Sequence, residues 1–373
     1  MYGLLVLETE LFKEACEIVE TLRCPRCGAS LQADVKFCQV CGATISSSIN
    51  TTTGYVDVRK VVEKEFLIRD AWLEDGRMIF NVEPSMDLKR NFRRTNDCLS
   101  EIGYLPFLRR REGKLALIVT QRPRAKPSRW IWNLVLFLAT IGTTTLVGYQ
   151  MSLPLVERGF MDNPWQGALT FSAAVMSILG CHELGHKLMS DRRGVVSSLP
   201  YFIPIPFFIG TLGAIIQTKS PAPNRDSLFD LGAAGPILGV IILLPVTALG
   251  VTWSYLIPIE KVPPGTIGLP VPVLFDLLVL VMGSSIKEGT TLLFHPVAFA
   301  AWVGMLVTML NLMPAGMLDG GHVARAVLGM KWHRFISFAA AAVTFALGWW
   351  YMAVLMLLFA FGQHPGPLDD VSP

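Results

Sequence analysis

The segment Cys181-His182-Glu183-Leu184-Gly185-His186 carries two histidines four residues apart, with a glutamate directly after the first. On a helix, side chains at i and i+4 share a face, so both imidazoles can hold one zinc ion. Glu183 then stands beside a water whose pKa the ion lowers to about 7, and is placed to act as general base and later to pass a proton to a leaving amine. A catalytic zinc commonly takes three protein ligands and keeps one position open. The third candidate is Asp319, the only carboxylate in Asn311-Leu312-Met313-Pro314-Ala315-Gly316-Met317-Leu318-Asp319-Gly320-Gly321-His322. Pro314 and the glycines at 316, 320 and 321 break a helix there and let Asp319 turn inward. Asn311 is placed to hydrogen-bond substrate or an oxyanion. His322 competes for the metal on residue type alone, with a supporting role at a helix start as the alternative. Cys181 differs from His182 in helical direction by about 100°, which reads as a small packed residue rather than a ligand. The competing reading of the whole set is a buried His, Glu and His that only pair with one another.

A second set of metal-binding residue types lies near the N-terminus. Cys24-Pro25-Arg26-Cys27 and Cys38-Gln39-Val40-Cys41 are two CxxC pairs with ten residues between them, each followed by a glycine, Gly28 and Gly42. Four thiolates at this spacing suit a closed tetrahedral structural zinc, and the glycines suit turns that bring backbone close to sulfur. A disulfide pair is the alternative, disfavoured in a reducing compartment. The other three of the seven cysteines, Cys16, Cys98 and Cys181, fall outside the pattern. A ribbon of this kind binds a protein, a nucleic acid or another copy of itself, and sequence does not choose among them.

A membrane must position the first set. Of 373 residues, 52% are hydrophobic and 16% charged, with mean hydropathy +0.47. That excludes a purely soluble chain, a disordered one and a collagen-like fibre. A net charge of +3 is too weak to argue for nucleic acid as the main partner, and none is expected. The charge is concentrated in the first 125 residues, where no stretch is apolar enough to cross a bilayer. There the chain divides into an amphipathic helix (1–23), the zinc ribbon (24–45), a polar linker (46–54), a small α+β domain (55–121) and a basic linker (122–130). Glu8, Glu10, Lys13 and Glu14 interrupt the first segment too early for a signal peptide. In the α+β domain, helices are predicted at 56–66 and 88–102, and hairpin turns at Glu74-Asp75-Gly76 and Glu112-Gly113.

Five runs, uncharged but for Glu183 in the second, are long enough to span: 131–156, 163–186, 231–259, 292–313 and 335–361. Residues 271–283 are apolar but short and carry Asp276, so they are expected to re-enter or lie at the interface. Residues 194–218 are also uncharged, yet prolines at 200, 204 and 206 and glycines at 210 and 213 predict extended backbone that must be buried in protein or line a cavity. The fold class is therefore a polytopic α-helical membrane protein of about five to six spans, with membrane-embedded extended or re-entrant segments. The membrane domain occupies 131–362, with a tail at 363–373. With the N-terminus inside, the inner segments hold Arg122, Arg124, Lys126, Arg129, Lys187, Arg192, Arg193, Lys219, Arg225, Arg325, Lys331 and Arg334, and the outer ones only Arg158, Lys261 and Lys287. The positive-inside rule then puts the chain in a cell membrane as a multi-pass protein with a cytoplasmic N-terminus.

These motifs resemble the signatures of the site-2 protease family of intramembrane zinc metalloproteases: HExxH in one transmembrane helix and Asn-x-x-Pro…Leu-Asp-Gly in a later one. Residues 182–239 are especially similar to the branch of archaea, bacteria and plastids that lacks a PDZ domain. The resemblance covers about residues 130–335. It implies His182, His186 and Asp319 as zinc ligands, Glu183 as catalytic base and Asn311 as an active-site helper. It implies as substrate a transmembrane segment of another protein, cut near the cytoplasmic side in regulated intramembrane proteolysis. The N-terminal cysteine module departs from the family core.

A transmembrane helix is a poor protease substrate, because its amides are tied into i to i+4 bonds. The extended run Gly210-Thr211-Leu212-Gly213-Ala214 offers backbone groups to pair with an unwound substrate by strand addition; shielding of the zinc site from lipid is the other reading. The expectation is an enzyme with one catalytic and one structural zinc, whose partners are a transmembrane substrate held as an extended strand, membrane lipid and a second copy of the chain in a homo-oligomer. The rival is a non-catalytic zinc-binding membrane scaffold or metal transporter with a cytosolic adaptor domain. A transporter calls for polar residues at several depths, whereas here they cluster at one.

Overall fold

The structure is a computed structural model, and it describes residues 51–123, 130–262, 268–269, 272–281, 289–362 and 364–372. The predicted N-terminal helix, the ribbon cysteines Cys24, Cys27, Cys38 and Cys41, and linker residues 46–50 lie outside the described residues. The chain forms two compact units, Met1–Arg124 with Asp369–Pro373, and Ala125–Leu368.

In the first unit, α1 (Thr51–Glu65), β1 (Ile68–Glu74), β2 (Arg77–Val82), α2 (Leu88–Glu101), β3 (Tyr104–Arg111) and β4 (Lys114–Gln121) follow in order. The strands form one sheet in the order β1-β2-β4-β3, each neighbouring pair antiparallel. Both hairpins turn on two left-handed residues, Asp75-Gly76 (φ 50 and 74) and Glu112-Gly113 (φ 51 and 79). That twist matches the flanking strands. Val58, Val62, Phe80, Leu99, Leu108 and Leu117 are fully buried and make the core. Helix α1 starts at Thr51, inside the stretch that composition reads as linker, because the stripe Val58 and Val62 anchors a helix that extends back over polar residues. The C-terminal residues join this unit: Asp369 bridges Leu108 in parallel, and Asp370 N–H donates to the Leu108 carbonyl at 3.3 Å.

Among its described residues, the second unit has three helices long and apolar enough to cross a membrane: α3 (Trp130–Glu157), α4 (Pro164–Arg192) and α5 (Arg225–Trp253). Between α4 and α5 lies a hairpin of β5 (Tyr201–Pro204) and β6 (Thr211–Ile215). After α5 come β7 (Tyr255–Pro258), a single 3-10 turn, the nine-residue α6 (Val273–Val281) and β8 (Thr290–Leu293), which pairs with β7. Nine helical residues span about 14 Å, too short to cross, and Phe275 and Val279 pack into a cluster with Ile178, Leu243 and Met305.

Two of the predicted spans differ in the structure. The run 292–313 contains α7 (Pro296–Asn311), only 16 residues, since its first residues belong to β8 and His295-Pro296 starts the helix. The run 335–361 is not one helix. Helix α8 (Asp319–Ala346), itself broken at Gly329 (φ 75, ψ 178), ends before Gly348 at φ 89, a left-handed turn that no continuous helix accommodates. Helix α9 (Trp350–Ala360) folds back on it, bringing Phe361 to 5.8 Å from Phe338 and Met356 into one buried cluster with Ala341.

The hairpin is tied to α3. Asn133, buried, donates to the Leu199 and Pro200 carbonyls at 2.9 and 3.0 Å, and the Thr143 hydroxyl donates to the Gly210 carbonyl at 2.6 Å. Gly210 (φ 82) passes so close that a Cβ there would lie 2.5 Å from Thr144 Cα.

Candidate active site

Helix α4 is capped by the Asn163 side chain, which accepts from Trp165 N–H at 2.9 Å, and has Pro164 at its first position. Its 29 residues run without a break to Arg192, so the HExxH residues sit in regular helix near its C-terminal end. His182 and Glu183 are 5% and 9% exposed, a costly position for ionisable groups in an apolar bundle that marks a candidate functional site.

Asp319 reaches them from the far side. Helix α7 stops at Asn311, the chain turns through Gly316 (φ 52), and Asp319 is the first residue of α8. Gly320 is required at this start, since a Cβ there would lie 2.1 Å from the Leu312 carbonyl oxygen. His182 Nε2 lies 3.0 Å from Asp319 Oδ2, His186 Nε2 lies 3.3 Å from Asp319 Oδ1, and the two Nε2 atoms are 3.2 Å apart. Zinc bonds of about 2.0–2.1 Å in a tetrahedron place neighbouring ligand atoms about 3.3 Å apart. These separations, with Asp319 turning one carboxylate oxygen to each imidazole, therefore suit a zinc ion in size and in chemistry. His182, His186 and Asp319 are the only such group among the described residues.

The surroundings orient these donors. His186 Nδ1–H donates to the Leu231 carbonyl at 2.8 Å, which leaves Nε2 with its lone pair toward Asp319. Leu231 lies in the first turns of α5, and Pro236 five residues on removes the donor for the Gly232 carbonyl and spreads this turn. Helix α5 presses on the site through glycines: a Cβ at 235 would lie 2.1 Å from His186 Nε2, one at 239 would lie 3.1 Å from His182 Nδ1, and one at 232 would lie 2.7 Å from the Asp319 carbonyl oxygen.

Asn311, the last residue of α7, places Nδ2 3.4 Å from His182 Nε2 and so joins the cluster. His322 does not join the donor triangle: its Nδ1 lies 2.7 Å from His364 Nε2 instead. Cys181 is free and partly buried, apart from the donors. Of the extended run, Thr211, Leu212, Gly213 and Ala214 form β6 and Gly210 precedes it. The Thr211 side chain is buried and its hydroxyl is used within the hairpin, on Ile203 O at 3.0 Å and Gly213 O at 3.2 Å. Sequence reasoning did not find the Leu231 carbonyl or His364. Nor did it find the close approach of Gly232, Gly235 and Gly239 to Asp319, His186 and His182. A backbone carbonyl and a histidine 42 residues downstream of His322 leave no spacing signature.

Residues 170–358 match peptidase family M50, and residues 23–45 match a zinc-ribbon domain. Over 215 residues the chain is 32% identical to the probable zinc metalloprotease EGY2, chloroplastic, of Oryza sativa subsp. indica, covering 55% of this chain and 37% of that protein. Over 253 residues it is 30% identical to the probable zinc metalloprotease EGY1, chloroplastic, of Arabidopsis thaliana, covering 62% and 44%. The probable zinc metallopeptidase EGY3, chloroplastic, of Arabidopsis thaliana is 26% identical over 273 residues, covering 66% and 46%. The chain spans less than half the length of these curated relatives. No solved structure matches.

Proposed function

Because this chain belongs to peptidase family M50, we propose that it is a membrane-embedded zinc endopeptidase that hydrolyses peptide bonds within transmembrane segments of protein substrates, near the cytoplasmic side. The observation that carries the reading is the donor triangle of 3.0 to 3.3 Å, built from two helices, with Glu183 buried beside it.

His182 and His186 would hold the ion through Nε2 and Asp319 through a carboxylate oxygen. When bound, zinc supplies Lewis acidity that polarises a carbonyl and acidifies a water. Glu183 takes the proton from the attacking water and delivers it to the departing amide nitrogen. Asn311 donates an amide hydrogen to the oxygen that gains negative charge as the carbonyl carbon becomes tetrahedral. The buried walls keep bulk water from the charged groups, which strengthens each of these interactions. The edge of β6, from Gly210 to Ala214, holds the substrate backbone extended, so that its amides leave their helical bonds and face the site.

The N-terminus lies in the cytoplasm, α3, α4, α5 and α7 cross the membrane, and the α8–α9 hairpin turns back toward the face that bears His322. The four ribbon cysteines, Cys24, Cys27, Cys38 and Cys41, hold a second, structural zinc. The ribbon and the α+β unit select substrates or govern access.

The test compares purified wild type with Glu183→Gln for zinc per chain and for cleavage of a panel of single-span substrates in liposomes. The reading expects two zincs in both proteins and cleavage only in wild type. Zinc confined to the cysteine module, or cleavage indifferent to Glu183, overturns it.

A further inference from the structure

Residues of α4, α7 and the β5–β6 hairpin line an open cavity of about 300 Å³. Val175 and Ile178 line it from α4, Val303 and Val307 from α7, and Leu212 and Gly213 from β6. None of these residues takes part in the zinc chemistry above. Their register nevertheless ties the cavity to it. Ile178 and Val175 precede His182 by four and seven residues, which places them on the His182 face of α4, about 6 and 10 Å back along the axis. Val307 precedes Asn311 by four residues, so the same offset holds on α7. The cavity thus continues the active-site face toward the middle of the apolar bundle, with the edge of β6 as its third wall.

We propose, building on the peptidase reading, that this cavity is a side-chain pocket that receives one large apolar residue of the substrate, two or three residues from the scissile bond. The spacing follows from strand geometry: an extended chain rises about 3.3 Å per residue, so 6 to 10 Å corresponds to two or three residues. A substrate strand laid on β6 alternates its side chains, and only one of two neighbouring residues turns into the cavity. The volume is ample for an aromatic ring, since an apolar protein cavity of about 150 Å³ already takes up benzene. The polar option is closed. The Thr211 hydroxyl, the polar side chain in the wall, is already bonded to the Ile203 and Gly213 carbonyls at 3.0 and 3.2 Å. A charged or amide side chain entering here loses its water and finds no partner. The pocket therefore sets specificity, and it does so for a position displaced from the bond that is cut.

The experiment uses the full chain in liposomes and single-span substrates with a mapped cut site. The substrates differ only in the residue, Gly, Ala, Leu, Phe or Lys, at the second or third position on either side of the cut. Wild type is expected to cleave the Phe or Leu substrate with at least about tenfold higher kcat/KM than the Gly substrate at one of those positions, and the Lys substrate least. Val303→Phe and, independently, Val307→Phe fill the pocket and should lower that large-to-small ratio at least about tenfold. Val303→Ala should move the optimum toward the larger side chain. A ratio near one at all four positions in wild type, as for a cavity filled by a lipid chain, overturns the proposal. So do filling variants that slow every substrate by the same factor. Cleavage that persists in Glu183→Gln overturns the underlying peptidase reading instead, which separates the two failures.

Discussion

Gly235→Ala is the sharpest probe of the donor triangle, because two known effects of that substitution have opposite sign. In a helix interior, alanine is ordinarily more stable than glycine by about 0.5–1 kcal/mol. At 235 the new methyl carbon would lie 2.1 Å from His186 Nε2 and 2.5 Å from both its Cδ2 and Cε1. Carbon contacts settle at about 3.5–4.0 Å, so ring and methyl must separate by more than about 1 Å. The ring cannot simply swing away. Its Nδ1–H is held at 2.8 Å by the Leu231 carbonyl, which lies on the same helix as the intruding methyl. A shift of about 1 Å in a group that positions the reaction costs about a hundredfold in rate, or about 2.7 kcal/mol. The assay measures zinc per chain against a competing chelator, cleavage of one single-span substrate, and thermal stability. Gly235→Ala should lose or weaken one zinc and fall about a hundredfold in cleavage. Gly180→Ala is the control, on the same helix as His186 with nothing within 4 Å of the added carbon. Gly235→Ala protein that keeps its zinc affinity and its rate would refute the contact argument.

Thr143→Val removes the 2.6 Å hydrogen bond to the Gly210 carbonyl, worth about 1 kcal/mol, and should slow cleavage several-fold with zinc content unchanged; an unaltered rate would show that α3 does not hold the strand. Burial first, and then the neighbouring His322, His333 and Arg325, push the His364 imidazole down to about 3, against about 6.5 in an unfolded chain. A base with a depressed folded value contributes stability that is present above pH 6.5 and lost as pH falls through it, by about 2 kcal/mol at pH 5. Proteolysis of the C-terminal tail should therefore accelerate between pH 7 and 5 and should lose that dependence in His364→Gln; a flat profile in wild type contradicts the linkage. Deletion of residues 1–120 should change which substrates are cut while the donor triangle keeps its zinc, and unchanged cleavage of every substrate would remove the N-terminal modules from substrate choice.

Some of this molecule was legible in its sequence because single residues dictate local geometry. Gly76 and Gly113 follow acidic residues between apolar runs, and each makes the second left-handed residue of a hairpin turn. HExxH needs only a helix to bring its imidazoles together, and α4 is long and continuous enough to supply one. Asp319 was findable as the sole carboxylate within residues 311–322, just after the helix-breaking Pro314. The misread elements turn on features that composition does not encode. Residues 335–361 are uncharged throughout, and hydropathy gives the same value to one long helix and to two short ones; the φ of 89 at Gly348 decides between them. Thr51 to Thr53 look like a linker, but helix propensity is overridden by the valines a turn or two later. His364 sits in a polar tail with no spacing relation to His322, and it meets it only because α9 turns back along α8.

The extended segment after α4 poses the question of how irregular backbone survives within an apolar bundle. Unpaired amides cost several kcal/mol each in hydrocarbon. One ladder comes from β5 pairing with β6, Phe202 opposite Ala214 and Pro204 opposite Thr211. The carbonyls at 199, 200 and 210 are served by Asn133 and Thr143 from α3. Thr211 closes the turn from within by bonding Ile203, Gly213 and the Gly213 amide. These bonds leave the other edge of β6, which no further strand joins among the described residues. A transmembrane substrate has the complementary need: once unwound it must place its own amides somewhere other than lipid. Under the proposed function, one set of inter-chain bonds would meet both requirements. Weakening the α3 contacts should therefore raise KM for helical substrates more than for a short extended peptide carrying the same cut site, because only the former must give up helical bonds to bind. Equal effects on both would mean that β6 does not hold the substrate backbone.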